Sequence, residues 1–389
     1  MEMDLARFWR DNEVAEADPF GAHIPQTPMN IGMAMGYFAM FDEIGVPEDN
    51  RRLEADYAWA RSCAKAYNDH AEKIVGKRLL DETAYDPAKR FPEIKSPGEL
   101  FGCPRVWESE SWWLKEAAHT PQELKSLLDR MERLDIEAAM FPDNWDAECR
   151  CIYERRGIRP LLPRALRGPV TLATSIYGAE RFVYLVLDDP GLAARFRDVM
   201  LKVLLEYFTI CRRRSDPAQV RPGFSILDDN CALMTPEMYA LFGQPIVQAI
   251  YDRFAPALGD GRYQHSDSDM GHLLPLLAAT GMNRVNFGPN VRFASIRKAM
   301  PKAVVFGTLA PFTFMRNDEA AIEREVRRDL EESRATRGLV VAPSGSVNNG
   351  TRLTSMRKVM QTIVQYGRFD APAAATVPHP SQNGNSIPP

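Results

Sequence analysis

The sequence predicts an α/β fold, a (β/α)8 TIM barrel preceded by an N-terminal helical extension. Two observations carry this expectation. From residue 101 onward about eight short apolar runs alternate with helix-length amphipathic segments, the texture of parallel βαβ units. The residues just after these runs are polar, and in a barrel of this kind chemistry sits at the C-terminal ends of the strands.

Taken in order, strands are expected at 103–107, 138–141, 170–173, 224–227, 262–264, 284–287, 304–307 and 339–342. Helices are expected at 120–134, 190–212, 235–254 and 318–334. Thr235-Pro236-Glu237 reads as a threonine cap followed by proline at the first helical position, and Asp318-Glu319 places acids at a helix start. The first hundred residues alternate helical patterns with proline breaks and contain no persuasive strand. The resulting division is a helical extension at 1–100, the barrel at 101–370 and a disordered tail at 371–389, whose prolines and small polar residues cannot build a core.

Composition narrows the function classes. With 45% hydrophobic and 26% charged residues, the 389-residue chain can bury a large core. Its net charge of -4 gives no general attraction to a phosphate backbone or an anionic lipid surface. Neither nucleic acid nor membrane is an expected partner, and no run of about 18 apolar residues or signal-like N-terminus occurs. The cysteines, at 63, 103, 149, 151, 211 and 231, are too sparse for a disulfide framework, so reduced thiols and a cytoplasmic location are expected. Cys149-x-Cys151 lacks the second pair of a zinc site.

Candidate site residues follow from the strand ends. Asp143, Asp228 and Asp229 are the candidate catalytic acids. Adjacent carboxylates such as Asp228-Asp229 repel unless a cation, a shared proton or hydrogen-bond donors offset them, although one of them could simply cap a helix. His265-Ser266-Asp267 is the densest polar cluster, with His265 its expected functional side chain and His272 a structural one. Ser175, Asn286, Ser344 and Asn348 are the candidate substrate contacts. The last two lie in a glycine-containing loop after the final strand, where barrels often bind phosphate, but no G-x-G-x-x-G or P-loop pattern accompanies them.

Several motifs in order extend this reading: Gly168-Pro169-Val170-Thr171-Leu172-Ala173, Asp188-Asp189-Pro190, Asp228-Asp229 with Leu233-Met234-Thr235-Pro236-Glu237-Met238-Tyr239, His265-Ser266-Asp267, Leu273-Leu274-Pro275, and Gly307 ahead of the 323–330 helix. In this order and spacing, over roughly 168–370, the chain resembles the uroporphyrinogen decarboxylase superfamily, which includes zinc-dependent, cobalamin-linked methyltransferases. The resemblance implies a barrel with a deep pocket at the strand C-termini. It also implies either decarboxylation of a tetrapyrrole or methyl transfer to a thiol, with zinc and a corrinoid, or a corrinoid protein, as cofactor and partner. A homodimer is compatible with it.

Departures from the pattern matter for the chemistry. The decarboxylase branch carries an arginine-rich N-terminal motif and a late histidine, and here 1–101 has no such motif while the late loop reads Ser344-Gly345-Ser346-Val347-Asn348-Asn349. Arg292, Arg297 and Arg352 are the cations that a carboxylate substrate would then need. The methyltransferase branch binds zinc through His-x-Cys and a later cysteine, and here the sequence offers His265-x-Asp267 and Ser344 or Ser346. His265, Asp267 and an aspartate from 228 or 229 would make a nitrogen and oxygen site for zinc or a harder divalent metal, with Cys231 as a soft donor. Metal-assisted methyl transfer is the first expectation and tetrapyrrole decarboxylation the second.

Overall fold

The computed structural model describes residues 3–31, 35 and 37–369. The expected tail at 371–389 lies outside them. Six parallel strands stand side by side in chain order: β3 (Ala165–Arg167), β4 (Phe224–Leu227), β5 (Arg262–Ser266), β6 (Arg284–Phe287), β7 (Val304–Phe306) and β8 (Leu339–Val340). A separate antiparallel hairpin, β1 (Arg105–Glu108) and β2 (Ser111–Leu114), lies outside this sheet.

Beyond β8 the sheet gains one more parallel position, because Met29 bridges Val341. Asn30 N donates to Val341 O at 3.0 Å and Val341 N to Pro28 O at 2.8 Å. Residues ahead of 101 therefore supply a barrel strand position, though one too short to announce itself by periodicity. Among the described residues no ladder joins β3 to Met29, so the ring of backbone pairing is open there.

The register explains how the barrel makes room for a ligand. Ala165, Ser225, Tyr263 and Arg284 are paired neighbours at one level, and Arg167, Leu227, His265 and Asn286 at the next. Alternation sends the intervening Leu166, Ile226, Val285 and Val305 outward under the helices, where they are fully buried. Barrels of this class usually fill their interior with branched apolar side chains. Ala165 and Ser225 are too small to do so, and a cavity of about 770 Å³ runs past them from Arg284 to His265 and Ser346.

Helices cover the outer face. Pro190–Arg214 starts on Asp189, whose carboxylate accepts from Leu192 N, and ends on three arginines that suit the negative end of the helix dipole. Its Phe196 meets Phe182 and Phe242 edge-on, at centroid distances of 6.2 and 5.6 Å. No single helix among the described residues is long and apolar enough to cross a membrane.

Three strand expectations require correction. Residues 138–141 fall mostly in the helix Ile136–Met140, which Asp135 caps by accepting from Ala138 N. Residues 170–173 lie inside the helix Pro169–Tyr177, and the true strand is β3, just upstream. That helix is buried on nearly every side, so its apolar run lacks the polar face that distinguishes a helix from a strand. Residues 103–107 overlap β1, but its partner is the antiparallel β2 rather than a barrel strand. The other five expected strands coincide with β4–β8 to within two residues. The expected helix 235–254 divides at Phe242 into Pro236–Leu241 and Gly243–Phe254.

Candidate active site

Asp229, His265 and Asp267 converge at the C-terminal ends of β4 and β5, each with one ligand-capable atom within 4.8 Å of the others. Backbone geometry ties the two strand ends together, since Asp267 N donates to Asp229 Oδ1 at 2.8 Å. His265 Nε2 lies 3.0 Å from Asp267 Oδ1.

Asn286, paired with His265 across β5 and β6, decides the state of the imidazole. Its Nδ2 donates to two backbone carbonyls, Phe306 O at 2.5 Å and Pro343 O at 3.0 Å. Its Oδ1 is therefore the atom 2.7 Å from His265 Nδ1 and must accept a proton from it. With Nδ1 committed as donor, the lone pair of the neutral ring is on Nε2, which faces Asp267. This is the arrangement by which a hydrogen-bonded outer residue fixes a metal-binding histidine.

Burial pulls the His265 pKa down, but hydrogen bonding to Asp267 and the charge of that carboxylate outweigh it, with Asn286 and Asp229 adding to them, so the pKa is raised. Proton and metal would thus compete for the same nitrogen. The donor set is one nitrogen and two carboxylates, suited to zinc, iron or manganese.

The late loop closes over this cluster. A Cβ on Gly345 would lie 2.3 Å from Asp267 Oδ1, and Gly345 has φ +121, so only glycine brings this backbone onto the carboxylate. Beside it the hydroxyl of Ser344 is buried with no hydrogen-bond partner among the described residues, and a Cβ on Gly307 would lie 3.2 Å from this hydroxyl and 3.5 Å from Asn286 Nδ2. A buried unpaired hydroxyl costs about 1–3 kcal/mol, a debt that a bound group or water would remove. The residues present fit a divalent ion.

The remaining expected residues go elsewhere. Asp228 is fully buried and accepts from Thr171 N and Thr171 Oγ1, both at 2.8 Å, and from Val170 N at 3.4 Å. It therefore sits at the positive end of Pro169–Tyr177, capping a neighbouring helix rather than entering the cavity. Cys231 is buried beside it, with Sγ donating to Asp228 O at 2.8 Å and burial pushing its thiol well up. It is not in the three-residue donor cluster. Ser175 lies on Pro169–Tyr177, its hydroxyl donating to Thr171 O at 2.7 Å and accepting from Arg167 Nε at 3.2 Å. Asn348 is exposed and contacts Met315 Sδ at 3.9 Å. Asp143 is exposed in the turn before Trp145–Arg156, after a segment that is helix rather than barrel strand.

Burial raises the Asp228 pKa to about 6, with the Thr171 and Val170 hydrogen bonds opposing it. Since the folded-state pKa exceeds the unfolded one, folding takes up a proton between them, and stability falls as pH rises from about 4 to about 6. Relative to Asp228→Asn, the wild type is expected to lose roughly 3 kcal/mol over that window. Urea unfolding of both proteins at pH 4.5 and 7.5 checks this, and parallel stabilities at the two pH values would refute it.

One cation was not legible. Arg167 ends β3, at the level of Leu227 and His265, and the charges of Asp229 and Asp228 act on it. Placing the strand at 170–173 hid it; the Gly-Pro pair at 168–169, a break before a helix, was the available signal. Arg164 and Arg284 line the far part of the cavity. By contrast, Arg292 pairs with Glu332 and Arg352 with Asp42, while buried Arg297 donates to the carbonyls of Met300, Pro301, Ala303 and Arg337. None of these three lines the cavity.

A profile of the uroporphyrinogen decarboxylase (URO-D) family matches residues 106–366. The chain belongs to the URO-D family. A solved structure, a methyltransferase from Methanosarcina mazei, superposes with a TM-score of 0.56 at 15% identity, over 94% of this chain and 99% of that one. This likeness establishes the shared fold, a β/α barrel. Comparison with curated proteins returned no match. Where the resemblance implies thiolates, this URO-D family chain carries Asp267 and Ser344 or Ser346, and Asp229 is the third side chain of the cluster.

Proposed function

We propose that this URO-D family enzyme is a metal-assisted methyltransferase, with Asp229, His265 and Asp267 holding the metal. The observation that carries the reading is the Asn286 clamp, which turns Nε2 of His265 toward the two carboxylates. A divalent ion held there supplies Lewis acidity that lowers the pKa of an acceptor thiol or hydroxyl. The chain's own residues do the rest. Leu227, Tyr263 and Phe306 offer the substrate an apolar wall, the loop at Gly345 restricts water, and Arg164 and Arg284 in the lining attract an anionic group. The methyl donor in this reading is a corrinoid, delivered by a corrinoid protein. The unpaired cysteines fit a reducing, cytoplasmic setting.

Elemental analysis of protein purified without chelator tests it. About one equivalent of zinc or another divalent ion is expected, with methyl transfer from methylcobalamin to a thiol lost on chelation and restored by the ion. Metal-free protein with chelator-insensitive activity would overturn the reading.

Tetrapyrrole decarboxylation is the second reading. It loses Arg292, Arg297 and Arg352 as clamps, and retains support only from Arg164 and Arg284 in the cavity lining. Carbon dioxide release from uroporphyrinogen under anaerobic conditions would favour it over methyl transfer.

A further inference from the structure

A second cavity, of about 510 Å³, lies between the N-terminal extension and the β1–β2 hairpin. Its walls include two perpendicular ring pairs. Tyr37 and Tyr85 meet at 5.1 Å and 84°, and Trp107 and Trp112 at 5.1 Å and 78°. Trp112 remains 38% exposed, so ring surface is open to a ligand.

The polar lining is acidic. Glu54, Asp81 and Glu110 border the cavity, and none of them is in an ion pair among the described residues. Glu110 is held in place, with Oε2 accepting from Asn50 N at 3.0 Å and φ at +59 beside Ser109 at +51. Positive φ at both central residues is the type I′ turn that joins β1 to β2, and it fixes the hairpin edge that borders the cavity. One face of each indole is already covered by the chain's own guanidinium groups, Arg51 at 5.9 Å from the Trp107 ring and Arg105 at 4.2 Å from that of Trp112, so a ligand would meet the remaining ring surface.

We infer that this cavity is a binding site for a compact organic cation, a methylated ammonium group. Aromatic faces set at right angles contact methyl groups while their quadrupoles attract the charge, and surrounding carboxylates supply the long-range field. The rings select for methyl groups on the nitrogen, whereas the carboxylates alone would accept any cation. Phe38 lines both this cavity and the barrel cavity, so a ligand here sits next to the barrel mouth. The inference stands on binding alone and does not depend on methyl transfer.

The test compares choline with its neutral isostere 3,3-dimethyl-1-butanol, using the full chain and tryptophan fluorescence with calorimetry as a check. Choline is expected to bind saturably and roughly tenfold tighter than the isostere. Trp112→Ala should abolish binding, Trp112→Phe should weaken it several-fold, and Trp113→Ala, outside the cavity lining, should leave it unchanged. Equal affinity for choline and the isostere would show a merely apolar pocket and overturn the inference. So would the absence of saturable choline binding, or binding indifferent to Trp112→Phe.

Discussion

His265→Ala is expected to hold less than roughly a tenth of the metal that the wild type retains, because it deletes the only nitrogen among the three donors and leaves two mutually repelling carboxylates. Asn286→Ala should act through the same nitrogen without touching the metal. Losing the acceptor for Nδ1–H frees the ring to rotate or change tautomer, and such outer-residue losses typically weaken metal binding by about 10–100-fold. Protons add a further signature. His265 has a raised pKa, so in the wild type each pH unit below it should cost about tenfold in apparent metal affinity, a dependence that His265→Ala loses. Metal titration with a competing chromophoric chelator at several pH values measures all three effects. Asp269→Ala, outside the donor cluster, is the control. Wild-type metal content in His265→Ala would remove the site from consideration.

Gly168→Ala should destabilise the protein by about 3 kcal/mol or more. A Cβ at 168 would lie 2.2 Å from Asp228 Cβ and 2.8 Å from its Cα. Gly168 N donates to Leu227 O at 2.6 Å, so the ends of β3 and β4 are too close for either strand to yield. The same crowding brings the buried Asp228 carboxylate onto Thr171 N, so relief would also uncap Pro169–Tyr177. Gly259→Ala, where a Cβ meets nothing within 4 Å, should be close to neutral. Guanidinium unfolding midpoints for the two variants decide the matter, and a Gly168→Ala midpoint equal to that of the wild type would show that the strand ends are not locked together.

Local patterns made much of this molecule legible. β4, β7 and β8 could be read because each is a short apolar run bounded by turn residues, while β5 and β6 are more polar and were legible only from their place in the alternation. The run at 170–173 misled because a helix buried on all sides loses its amphipathic period. The strand position at Met29 was invisible for the opposite reason: a single bridge leaves no pattern to detect.

The site divides in the same way. His265-Ser266-Asp267 stood out as a cluster from composition alone, and the choice of a carboxylate over a thiolate donor is written in the residue at 267. Which aspartate joins it is a tertiary matter. Asp228 and Asp229 are neighbours in the chain, yet one turns inward to a helix end and the other reaches Asp267, because successive residues leaving a strand point to opposite sides. Asn286 is 21 positions from His265 in the chain and becomes its partner only through the parallel register of β5 and β6. The sequence by itself determined which nitrogen- and oxygen-bearing side chains follow β4 and β5. Only the packing of strands and helices decided which donors meet, since that depends on register and burial across the sheet, quantities that no local window of residues contains.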